Sequence, residues 1–135
     1  MKRRVLLLYQ ILTGFSDTLT GCLLVAAPAF TLRLMGLNIP ESSHIFLSYV
    51  GVFVGSVGLA CLYGGLLLTR SVFVEKLEVV WLLTAISRGL VALFVIAHIA
   101  SGKLEPGWLV VAISDGLLAT FQSVGLATGW LRREA

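Results

Sequence analysis

Charge is what this sequence has least of. Asp, Glu, Lys and Arg together make up 13% of its 135 residues, about half the share of a soluble domain. Ionised groups are too few to clothe a chain that is 58% hydrophobic, with a mean hydropathy of +0.98, so its outer surface has to meet lipid. Cysteine is nearly absent as well. Cys22 and Cys61 form no Cys-x-x-Cys pair, which excludes a disulfide scaffold and argues against a thiol oxidoreductase. Gly-x-Ser-x-Gly, His-Glu-x-x-His and phosphate-binding glycine loops are all missing. No basic stripe interleaves with aromatics, so nucleic acid is not an expected partner.

What is present is long apolar runs. Residues 5–28 contain one formal charge (Asp17), 44–69 none, 79–100 one (Arg88) and 108–131 one (Asp115). A helix needs roughly 20 apolar residues to cross the hydrocarbon core, and each run is long enough. None alternates in the segments of about 10 residues that a membrane barrel requires. The fold class is therefore all-α: a polytopic membrane protein whose single domain, 1–135, is an antiparallel four-helix bundle. The short connections force neighbouring spans to run antiparallel, and they carry helix punctuation. Gly36 and Pro40 end one helix, and Ser42 or Ser43 can cap the next. Ser101-Gly102 stops the third span and Pro106 suits the first turn of the fourth. Pro28 falls inside an apolar run that reaches Leu37, which predicts a kink there, with 29–35 lying along the outer interface.

Basic residues set the orientation. Lys2, Arg3, Arg4, Arg70, Lys76, Arg132 and Arg133 fall on one side of the spans, against Arg33 and Lys103 on the other. The positive-inside rule places the larger group, and with it both termini, in the cytoplasm. Trp81, Trp108 and Trp130 sit near span ends, where amphipathic rings favour the headgroup region. A cleaved signal peptide is the rival reading of the N-terminus, with Ala27-Pro28-Ala29 as the cleavage site. Its apolar stretch is too long, however, and contains Gln10 and Asp17.

The candidate site is a buried polar network of Asp17, Arg88, Asp115 and Gln122. An ionised side chain at mid-bilayer costs about 2.5–3.5 kcal/mol on insertion scales, so each should face protein or water. Counted from the outer ends, Asp17 and Arg88 lie roughly 16–20 Å deep and Asp115 roughly 10–12 Å, an offset an arginine can bridge. Arg88 is thus expected between two carboxylates. Gln10, Thr13, Asp17 and Thr20 share one stripe, Trp108, Asp115 and Gln122 another, and Tyr49, Ser56 and Tyr63 a third. Such a seam either fixes helix register or marks a proton or ligand path. Gly51, Gly55, Gly58 and Gly65 form a close-packing face, serving either the same bundle or a partner.

His44 and His98 both fall near the outer ends of consecutive spans, where they could offer nitrogen ligands to a haem, or stay solvated. Cys22 and Cys61 are separated by roughly 15 Å of helical rise, beyond disulfide reach.

The stretch Ala27-Pro28-Ala29-Phe30-Thr31-Leu32-Arg33-Leu34-Met35-Gly36-Leu37, the four-span layout and the lone Arg88 of the third span resemble small bacterial four-helix membrane proteins near the DoxX-like group. The resemblance implies a bacterial inner-membrane protein, of a kind that in some cases accompanies redox complexes. The expected function is a non-catalytic membrane subunit, with the bilayer and other membrane subunits or further copies of itself as partners, and no cofactor. The alternatives are a small oligomeric proton-coupled transporter using Asp17, Arg88 and Asp115, or a haem-binding anchor using His44 and His98.

Overall fold

The computed structural model describes residues 3–70 and 74–133; Lys2, one of the residues that set the orientation above, lies outside them. Regular structure among the described residues is entirely helical. The helices are α1 (Arg3–Ala26), α2 (Pro28–Leu34), α3 (His44–Leu67), α4 (Val74–Ala100), α5 (Leu109–Ala127) and α6 (Trp130–Arg133), and short 3-10 turns at Glu41–Ser43 and Pro106–Trp108 lead into α3 and α5. The chain divides into two compact units, Met1–Phe73 and Val74–Ala135.

The first unit is an antiparallel pair, α1 on α3, held at backbone contact by glycine. A side chain added at Gly21 would come within 2.5 Å of the Gly55 nitrogen, and one at Gly14 within 2.8 Å of the Leu62 nitrogen. One at Gly58 would strike the Thr18 backbone. Small residues let membrane-type helices approach this closely, which gains dispersion where lipid provides no hydrophobic drive. At one end of the pair the Arg3 guanidinium donates to the carbonyls of Leu68 (2.6 Å) and Arg70 (2.9 Å), covering oxygens that the C-terminus of α3 leaves without intrahelical donors.

At the other end the chain breaks at Ala27, and Pro28 opens α2. Proline has no N–H, so the Leu24 carbonyl loses the donor that residue 28 would otherwise supply. Ser48 of α3 takes that role, its hydroxyl 3.2 Å from the Leu24 oxygen. The seven-residue α2 stops at Gly36, whose φ of 72° is the left-handed conformation glycine adopts without penalty. Leu37 N–H returns to the Leu32 carbonyl at 2.9 Å, and both leucines are buried, as a glycine-terminated helix end requires. Ser43 sits at the N-cap of α3 but makes no side-chain cap; the 3-10 turn before it supplies the entry instead.

The second unit pairs α4 with α5. The buried positions of α4 are Leu77, Trp81, Thr84, Ala85, Arg88, Ala92 and Val95, and those of α5 are Ala112, Ala119, Gln122 and Gly125. Spacings of three and four residues make one inward stripe on each helix. Trp81 is fully buried, lying over Gly125 and against Phe121 at 5.8 Å. Its place near a span end gave no sign of this burial. Gly125 leaves a notch that a large ring fills. Gly129, with φ of 66°, turns the chain after α5 so that α6 follows.

Three helical stretches, Glu41–Leu67, Val74–Ala100 and Pro106–Ala127, are long and apolar enough to cross a membrane. The 24-residue α1 has the length, but Gln10, Thr13, Ser16, Asp17, Thr18 and Thr20 dilute its hydropathy, and it is not among the three.

Candidate functional site

Two polar rungs cross the second unit, one helical turn apart along α4. In the first, Arg88 donates from Nη1 to the Asp115 carboxylate at 2.7 Å. The arginine side chain is 4% exposed and the aspartate 20%, so the pair is largely withdrawn from its surroundings yet open on the Asp115 side. In the second, the Gln122 amide donates to the Thr84 hydroxyl at 2.9 Å in a buried contact. Thr84 passes its own proton to the Val80 carbonyl at 2.8 Å, within its own helix. Residues 84 and 88 are four apart, so both rungs leave the same face of α4. Asp115 and Gln122 are seven apart and likewise share a face of α5.

A charge pair taken out of water gains little over an apolar pair, but breaking it on one side leaves an unpaired buried charge. Sliding α4 past α5 would part Arg88 from Asp115 and Gln122 from Thr84 together. Thr84 is the member that periodicity alone did not single out. Threonine is common inside apolar helices, where it bonds its own backbone, and only its facing Gln122 marks it here.

The other polar stripes singled out in the sequence belong to the first unit. Asp17 belongs to the first unit, half-buried on α1. Gln10, also on α1, is fully buried, and its amide nitrogen and oxygen meet no hydrogen-bonding partner among the described residues. Thr13 turns back on its own helix, donating to the Tyr9 carbonyl at 2.7 Å. Tyr49, Ser56 and Tyr63 are exposed on the outward side of α3, so this stripe joins no buried seam. Ser56 satisfies itself on the Val52 carbonyl at 2.8 Å.

The glycine face of α3 points inward. Gly51 lies against Leu24 and the Gly21 carbonyl, Gly55 against Gly21, Gly58 against Thr18, and Gly65 against Gln10 and Ile11. All four are turned to α1.

His44 opens α3 in the first unit and His98 lies near the end of α4 in the second, each half-buried. The His98 ring stacks on Phe94 with centroids 4.0 Å apart, and its Nδ1 is 2.9 Å from the Phe94 carbonyl oxygen. Nδ1–H would donate there, leaving Nε2 for any other contact. Among the described residues no three His, Cys, Asp or Glu side chains gather as a metal site. Cys22 is exposed, Cys61 is buried, and no disulfide joins them.

No family model, no curated protein and no solved structure matches this chain.

Proposed function

We propose that this chain is a non-catalytic integral membrane subunit that docks by its helix faces onto a larger membrane complex, of the redox type to which its DoxX-like resemblance points. In this reading it forms an antiparallel four-helix bundle in a bacterial inner membrane, with both ends in the cytoplasm. The observation that carries the reading is how the polar side chains of the second unit are used. Arg88 meets Asp115 and Gln122 meets Thr84, so these groups hold two helices in register. Large apolar side chains face outward: Leu90, Leu93 and Phe94 on α4 and Ile113 and Leu117 on α5 are all exposed, and the exposed Ser114 and Thr120 hydroxyls bond their own helix. Exposed apolar area on this scale marks contact with lipid or with another protein.

The fourth crossing is assigned to α1. Its outward residues, Leu8, Ile11, Leu12, Phe15 and Leu19, are apolar and exposed, while Gln10 is turned in. A polar residue withdrawn from lipid in this way is compatible with a membrane span. For docking, the glycines of α3 are already occupied by α1. The surface left is the outward side of α3, where Phe46, Tyr49 and Phe53 are exposed and the Tyr49 and Phe53 rings meet edge-on at 4.9 Å. Aromatic side chains are enriched at protein–protein interfaces.

The test is mild-detergent extraction from native membranes, then native mass spectrometry and a visible absorption spectrum of the same sample. Co-migration with larger subunits, lost on Phe53→Ala, is the expected result. A chain recovered alone and monomeric would sink the docking role. A partnerless oligomer with pH-dependent flux in liposomes, abolished by Asp17→Asn, would establish the transporter in its place.

A further inference from the structure

The end of the second unit that carries Arg132 holds an open surface cleft of about 810 Å³. Its two ends differ in chemistry. One wall is apolar, formed by Val79, Leu82 and Leu126, and the rim carries Glu75, Glu78 and Arg132. The turn at Gly129 brings α6 back beside α4, so that Arg132 grips Glu78 through Nε at 2.8 Å and an Nη at 3.1 Å. Two of the five guanidinium N–H donors are thus engaged, and the side chain remains 74% exposed. Glu75, exposed one turn away, adds a second carboxylate. The Arg133 guanidinium donates to the carbonyl of Thr128, which lines the same cleft, so the rim carries cations and anions side by side.

We propose that this cleft binds a phospholipid with a primary-amine headgroup. The ammonium of such a lipid meets Glu75, its phosphate meets the outer N–H groups of Arg132, and an acyl chain lies along Val79, Leu82 and Leu126. A zwitterion matches a rim of mixed sign, and a primary ammonium supplies N–H donors that a trimethylated choline lacks. An anionic headgroup without an amine has nothing to offer the Glu75 carboxylate. The inference rests on the membrane-spanning reading of α4 and α5 and is independent of the docking role.

The experiment uses the whole protein in detergent with equal amounts of phosphatidylethanolamine, phosphatidylcholine and phosphatidylglycerol, read by native mass spectrometry. The amine lipid should be retained about threefold over the choline lipid, the scale of one exposed ion pair. Glu75→Gln, an exposed substitution that leaves the Arg88 rung untouched, should erase that preference. Equal retention of all three lipids, preference for the glycerol headgroup, or a preference that survives Glu75→Gln would each overturn the proposal. A chain that stays outside vesicles of the same lipids would instead refute the membrane reading on which it stands.

Discussion

Ser48 and Pro28 form a pair whose energetics can be isolated. Proline at 28 removes the donor for the Leu24 carbonyl, and the Ser48 hydroxyl covers that oxygen at 3.2 Å, with the Val25 oxygen at the edge of range at 3.5 Å. Ser48→Ala strands a carbonyl in an apolar setting, where an unmade bond costs about 1–3 kcal/mol. The contact is long, and interhelical hydrogen bonds in membrane proteins average about 0.6 kcal/mol with a ceiling near 1.7, so the expected loss is about 1 kcal/mol. Pro28→Ala restores the N–H of residue 28 and hence the intrahelical donor to Leu24. In that background Ser48→Ala should cost less than about 0.3–0.5 kcal/mol, the usual limit of additivity between uncoupled sites. The four proteins of this cycle are compared by equilibrium unfolding in mixed micelles. An equal cost for Ser48→Ala in both backgrounds would show that the hydroxyl does not compensate for the proline.

Glycines within one stripe should respond differently. Gly58→Ala drives a methyl to 2.5 Å from the Thr18 hydroxyl and into its backbone, an overpacking worth about 1–3 kcal/mol. Gly65→Ala meets only an ordinary contact, 3.5 Å from the Gln10 Cβ, and should be neutral or stabilising by up to about 1 kcal/mol from helix propensity; similar losses at both sites in the same assay would refute this packing. Arg88→Met leaves the Asp115 carboxylate without its partner and should cost about 3–5 kcal/mol, most of which Arg88→Met with Asp115→Leu recovers. A double variant as unstable as the single one would show that the unpaired Asp115 carboxylate is not what the loss of Arg88 costs. Gln10→Met removes a buried amide that meets no partner among the described residues and should raise stability by about 1–2 kcal/mol; a lower unfolding midpoint would show that the amide is bonded in the folded protein.

The site is only partly visible in the sequence. Arg88, Asp115 and Gln122 stand out because charge and amide are rare in apolar runs, whereas Thr84 does not, since a lone threonine carries no such signal. Trp81 has a partner its local sequence does not show: Gly125 opens a notch for the ring from 44 residues further along the chain, and no local pattern contains that pairing. Tyr49, Ser56 and Tyr63 recur every seventh residue, and a period of seven reports a shared face without saying whether the face turns inward or out.

By itself the sequence determined that the chain is helical, where apolar runs begin and end, and that Gly36 and Gly102 close helices, because these follow from local hydropathy and backbone sterics. Tertiary structure decided which faces meet. The glycines of α3 lie against α1, the carbonyl freed by Pro28 is answered by Ser48 from α3, and Arg88 closes on Asp115 while Thr84 closes on Gln122. Each of these joins residues more than 20 positions apart, and such a pairing depends on the register between two helices, which neither helix encodes alone.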